Sequence, residues 1–484
     1  DVIRVEDTYY MVSTTMHFMP GCEILQSFDL VHWEHATYVY ETLDHTDAQQ
    51  LKSGQNIYGQ GMWAASLRYH EGRFYICFVA NDTRKTYLYT SEKIDGPWKK
   101  QLIEGFYHDG SLLFDEDGRN YIVYGNDEIW ITELNEDLTA PKKDGLHRLL
   151  VSDHKNPELG YEGSHIQKIN GYYYIFLIHS LRDRWMRTEA CFYSDSLEGE
   201  FTGGDVLCDD RGYCGQGVAQ GGIVDTPDGK WYAMLFQDSG AVGRIPILVP
   251  VTWKDHFPFF GQNGHVPEEI EVHSTRPGYI YQPLVGSDDF CNGLLPRWQF
   301  NHDPDPRYYH LDALQGTYTI TTREVCTELT QAVNTLTQRM SYPSCAAEVT
   351  VDASALKEGD VAGLCALQSC YAAVGITKHH GKYEVLMLDK KEDGILDMTE
   401  RTVVESHQMD FRLEADFCNM KDEARCYYRV NKGDWLPIGT VHKLYFKLDH
   451  FTGCRFGLFC YAAEKTGGSA CFRDFKYYDV DEIS

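Results

Sequence analysis

No stretch of this 484-residue chain comes near the roughly 20 consecutive apolar residues that a membrane-spanning helix needs, so no membrane role is expected. Positive charge is scarce as well. Lys and Arg number 44 against 72 Asp and Glu, a formal net charge of −28. A chain so acidic has little with which to neutralise phosphates, which argues against nucleic acid or an anionic membrane as partner. Helical periodicity is nearly missing. No Cys-x-x-Cys pair occurs among the 15 cysteines, whose number is odd; zinc and thiol–disulfide chemistry lose their usual spacing. Several cysteines, Cys77 and Cys460 among them, fall inside apolar strand-like runs. They read as reduced core residues of a cytoplasmic protein. No signal peptide is visible, and Asp1 already reads as part of a strand, so the natural start is expected upstream.

What the chain has instead is one phrase repeated five times: apolar residues, a turn with Gly or Asp, usually an aromatic pair, then apolar residues. The copies start at Val2, Leu67, Leu112, Ile166 and Ile223, and they align Tyr10, Tyr75, Tyr121, Tyr174 and Tyr232. Their spacing of roughly 45–65 residues is that of one four-stranded propeller blade. A second phrase follows four of the copies, at Ser27–Trp33, Ser91–Trp98, Glu133–Leu138 and Ser194–Phe201, and reads as a turn into an outer blade strand. The repeats stop near Phe260. Gly261 to Pro283 reads as a connection, and from about Ser287 short alternating strands suggest a β-sandwich of about 200 residues. The expected architecture is all-β: a five-bladed β-propeller over residues 1–283 and a β-sandwich over 284–484.

Inner strands of a propeller line its central funnel, so residues just before them point at its mouth. Asp109 precedes the third copy and Glu162 the fourth. Two carboxylates at equivalent points of adjacent blades would converge there, as glycoside hydrolysis needs: an acid for the leaving oxygen and a base for water. By pattern alone either residue also fits an ordinary turn. Trp63, before the second copy, suits stacking on a sugar ring. Arg244, after the fifth, suits a carboxylate or a sugar hydroxyl. With 33 Tyr and 9 Trp the chain has ample aromatic surface for sugars, although such residues also simply favour strands.

Several short motifs occur in a telling order: Asp1-Val2-Ile3-Arg4-Val5 with Tyr9-Tyr10, then Phe18-Met19-Pro20-Gly21, Trp63-Ala64, Asp109-Gly110-Ser111-Leu112, Glu162-Gly163, Gly243-Arg244 and Trp298-Gln299-Phe300-Asn301-His302-Asp303-Pro304. Across essentially the whole chain this set resembles glycoside hydrolase family 43, of the β-xylosidase/α-L-arabinofuranosidase type with a C-terminal β-sandwich. The resemblance implies an inverting exo-glycosidase acting on xylo-oligosaccharides or arabinose-decorated ones. It makes Glu162 the general acid and Asp109 the third carboxylate, which raises the acid's pKa. It places Trp63, Ala64, Arg244 and Phe18 in the sugar pocket, with Met16 where relatives often have Phe. His450-Phe451-Thr452-Gly453 resembles a sandwich loop that reaches over the propeller and narrows the pocket, which adds Phe451.

Two departures accompany the resemblance. The family's general base is the first Asp of an Asp-Pro-x-apolar-apolar-Arg motif, and Asp1 aligns with the x. The base is therefore expected two residues before Asp1; Asp1 itself would sit about 6–7 Å away along the strand. Gln220 stands where many relatives have His near a central calcium or water cluster, so no tight metal site is expected and no cofactor is required. Relatives often associate into oligomers. A non-catalytic glycan-binding propeller is the alternative if the base is absent. A retaining fructan or sucrose hydrolase would want Asn-Asp-Pro and Arg-Asp-Pro motifs, and neither occurs.

Overall fold

The computed structural model describes residues 1–479. The fivefold phrase is the first hairpin of five four-stranded antiparallel sheets. Each aligned tyrosine lies on a second strand: Tyr10 opposite Ile3, Tyr75 opposite Arg68, Tyr121 opposite Leu113, Tyr174 opposite Gln167 and Tyr232 opposite Val224. The hairpin turns need left-handed backbone. Asn170 and Gly171, at φ 52° and 85°, supply it as the two central residues of a tight hairpin. The second phrase forms the turn between third and fourth strands, for example between Lys85–Ser91 and Lys99–Ile103.

The innermost strands are Val2–Val5, Met62–His70, Ser111–Phe114, Glu162–Ile169 and Ile223–Asp225. Apolar side chains of adjacent blades fuse into shared cores. The seam between the first and last blades, with Val2, Tyr9 and Leu25 against Val224, Tyr232 and Met234, is one of them. Arg4 crosses that seam to the Asp225 carboxylate. The segment after Phe260 then straps it from outside: Arg276 Nε pairs with Asp7 at 2.7 Å, and the Tyr281 hydroxyl accepts the Phe28 N–H at 2.9 Å.

Two larger sheets of eight and seven strands form the C-terminal sandwich, with Tyr318, Val349, Phe411, Leu458 and Phe472 in its core. One strand of the eight comes from the propeller. Phe18–Met19, an insertion in the first blade, pairs with Gln299–Asn301. The two domains thus share a sheet edge, and the first-blade loop that carries Met16 is pinned to the sandwich. All fifteen cysteines are unpaired, and Cys77 and Cys460 are buried in strands. Among the described residues no helix is long and apolar enough to cross a membrane.

Candidate active site

Inner strands run from the funnel mouth to its rear, so the turns that enter them converge at the mouth. Asp109 sits in the left-handed region at φ 47°, a conformation Asp tolerates better than most residues. Glu162 opens its strand, and pairing then skips to His165. This bulge recurs in the second blade, where pairing skips from Met62 to Ala65 across Trp63 and Ala64. Such bulges re-aim side chains at a strand end. Gly163, at φ 66°, is required there, because a Cβ would lie 2.7 Å from the Gln220 side chain.

The result is a close trio. His108 Nε2 lies 3.6 Å from Asp109 Oδ2 and 3.6 Å from Glu162 Oε2. Asn126 Nδ2 donates to the same Glu162 oxygen at 2.6 Å, and the Gly163 N–H donates to Asp109 Oδ2 at 3.1 Å. Asp109 is buried, while Glu162 is only partly covered. Burial pushes the Asp109 carboxyl above the usual carboxylate range; His108 opposes the shift, Glu162 adds to it, and Arg244 and the Gly163 N–H oppose it. Burial alone would lower the His108 imidazole, but the two carboxylates beside it win and push it up. Asp109 Oδ1, His108 Nε2 and Trp63 Nε1 are buried without a hydrogen-bond partner, so this wall keeps polar capacity to spare.

The opposite wall is cationic and aromatic. Arg244 Nε donates to Asp238 Oδ1 at 3.2 Å, and Arg187 pairs with the other oxygen of Asp238. The Arg244 guanidinium lies 4.4 Å from the Phe236 ring centre and 4.1 Å from that of Phe451. Phe451 meets Trp63 edge-on at 5.5 Å. The sandwich loop therefore reaches the propeller and roofs the pocket. It is seated backbone to backbone: Cys454 N–H donates to Ala241 O at 2.9 Å, and a Cβ on Gly453 would lie 2.0 Å from Val242 O. Thr452 Oγ1 reaches Met16 Sδ at 3.7 Å. Behind the loop, His17, His302 and His450 pack buried around Tyr58. Burial holds His17 well below its usual range and takes His302 down to about 3, so these two rings are uncharged.

Of the residues expected at the pocket, the structure gathers Glu162, Asp109, Trp63, Arg244 and Phe451 around the mouth, with Ala64 beside Trp63 and Met16 under the loop. Phe18 is a correction. It is fully buried, with the Arg455 guanidinium 3.6 Å over its ring, because its two-residue strand is committed to the sandwich sheet. Gln220, at φ 63°, packs against Gly163, and its N–H donates to Glu189 Oε2 at 2.7 Å; burial pushes that carboxyl well up. Asp1 is unavailable as a base. Its carboxylate is buried below the mouth, paired with Arg68 and His165 and accepting the Leu67 N–H at 2.9 Å.

Sequence reasoning missed His108, Asn126, Asp238, Arg187 and Phe236. A usable signal existed: Asn126 and Asp238 each close the second strand of a repeat, Asn120–Asn126 and Trp231–Asp238, where the hairpin returns to the mouth.

The family model described as glycosyl hydrolases family 43 matches residues 1–258, and one described as a beta xylosidase C-terminal concanavalin A-like domain matches 287–478. A beta-xylosidase of Formosa agariphila is 26% identical, covering 99% of this chain and 87% of that protein. A non-reducing end alpha-L-arabinofuranosidase of Bacteroides ovatus is 24% identical over 82% of this chain and 77% of its own. Among solved structures, a bifunctional GH43-CE protein of Bacteroides eggerthii superposes with a TM-score of 0.92 at 42% identity; it covers all of this chain, which spans 62% of that one.

Proposed function

The chain belongs to glycosyl hydrolase family 43, and on that premise we propose that it releases a terminal xylose or arabinose from xylo-oligosaccharides or arabinose-decorated xylan fragments in one inverting displacement. The carrying observation is the Asp109–Glu162 pair at a mouth roofed by Phe451. A roofed pocket takes the end of a chain and excludes its middle.

In this reading Glu162 is the general acid. Asn126 and His108 both address Oε2, so the proton is carried on Oε1 and passes to the leaving oxygen as the glycosidic bond breaks. Asp109 orients the acid through His108, whose Nε2 lies 3.6 Å from an oxygen of each carboxylate. Arg244, held by Asp238 and flanked by two rings, binds a hydroxyl of the terminal sugar, and Trp63 with Phe451 covers its apolar face. Water attacks from the opposite side and gives its proton to a general base, a role that the buried Asp1 carboxylate, held by Arg68 and His165, does not fill. The chemistry derived for these residues uses carboxyl groups and water.

The test is hydrolysis of paired 4-nitrophenyl β-D-xylopyranoside and α-L-arabinofuranoside by the full-length protein, with product analysis on xylotriose. Release of single pentoses is expected. Cleavage within long xylan chains would overturn the terminal-sugar reading.

A further inference from the structure

An acid that protonates the leaving oxygen marks the side of the pocket where the leaving group lies. Glu162 belongs to the fourth blade. The other mouth-side segment of that blade is the turn between strands Tyr172–Ser180 and Arg187–Ser194, and it carries Trp185. Of the nine tryptophans this one is the most exposed, at 40%. A large apolar ring left in water on a functional face calls for a ligand more than one buried in a strand does.

The ring is also fixed. Met186 N–H donates to Ser180 Oγ at 2.8 Å, and Leu181 N–H to Met186 O at 3.1 Å. The Arg187 guanidinium covers the indole at 5.2 Å from its centre. Arg187 is itself buried and bound to Asp238, the residue that also holds Arg244. Trp185 is thus tied through two shared side chains to the terminal-sugar pocket, with much of its ring still open to solvent.

We propose that Trp185 is the stacking platform of a leaving-group subsite, and that its ligand is a pyranose ring, the xylosyl unit next to the bond being broken. A xylopyranose with equatorial hydroxyls presents C–H groups on both faces, which suits an indole. The same ring is the leaving group whether the released sugar is xylose or arabinose. The inference rests on the glycosidase reading above.

Two measurements test it. In the full-length enzyme, the ratio of kcat/KM for xylotriose to that for the methyl glycoside of the same terminal sugar is compared between wild type, W185A and W185F. The ratio is expected to fall about tenfold in W185A, the size of one aromatic contact, and to recover largely in W185F. An unmoved ratio would overturn the proposal; it would mean that Trp185 only supports Arg187. Separately, tryptophan fluorescence of the E162Q variant is titrated with xylotriose and with xylose. Xylotriose is expected to produce a change that xylose does not and that is lost in E162Q/W185F; equal responses to the two sugars would contradict the subsite. This second arm reads binding without hydrolysis. A protein that passed it yet released no pentose would fail the proposed function and not the subsite.

Discussion

The two ends of the propeller channel treat charge in opposite ways. At the rear, Arg4, Arg68 and Lys168 are each answered by a carboxylate. Arg68 pairs with Asp1 and donates to Ser111 Oγ and to the Leu112 and Ile166 carbonyls, joining four blades. Arg4 meets Asp225, and Lys168 meets Asp115 at 2.6 Å. A cavity of about 310 Å³ opens beside Arg68, Gln167 and Trp231, yet its cations are already neutralised. At the mouth, Asp109 and His108 are held within reach of Glu162 and keep polar atoms without partners. Satisfied buried charge fixes a structure, whereas unsatisfied charge costs stability and waits for a ligand or a proton. The same ring of inner strands does both jobs because its strands enter at the mouth through bulges and left-handed residues and leave at the rear as regular ladders.

Breaking each end separately sharpens the contrast. The largest effect is expected from Glu162→Gln, which should lower kcat/KM on xylotriose by about 10²–10⁴-fold, with a smaller loss on nitrophenyl substrates that need less protonation. Its thermal midpoint should stay close to wild type; steady-state kinetics and calorimetry together check both halves. Arg68→Met should do the reverse. It leaves the buried Asp1 carboxylate uncompensated, at a cost of about 3–5 kcal/mol in unfolding free energy by denaturant titration, while kcat/KM of the folded fraction changes little.

Finer variants act on the mouth alone. Glu162→Gln should bring the His108 imidazole down, because Glu162 is one of the two carboxylates that push it up, whereas His108→Gln should push the buried Asp109 carboxyl further up, because His108 opposes its shift. NMR titration of each group checks the sign, and shifts opposite to these would contradict the electrostatic assignment. Asp109→Asn should raise the thermal midpoint near neutral pH. The Asp109 carboxyl is pushed up in the folded state, so its ionised form costs stability above that range, and the gain from Asn should fade as pH falls through it.

The propeller was legible because its signal is periodic: five hairpins share one pattern of turn and tyrosine, and the strand period fixes which face each tyrosine buries. Glu162, Asp109 and Trp63 were legible for the same reason, each standing just ahead of a repeat. His108 and Asn126 were not, because their role depends on distances across blades. Phe18 misled because a motif gives order along the chain but not the domain a residue joins; a two-residue strand borrowed by the sandwich leaves little trace in sequence. The roofing loop, some 200 residues beyond Arg244 by number, was visible only through resemblance, since contact of such separation has no local pattern.

The central claim is a single displacement at the mouth, with Glu162 protonating the leaving oxygen while water enters from the other side. Proton NMR of the first sugar released from xylotriose tests it most directly. The account predicts that the newly formed sugar appears first with its anomeric configuration inverted relative to the bond cleaved, and only then equilibrates. A first-formed sugar of retained configuration would contradict it.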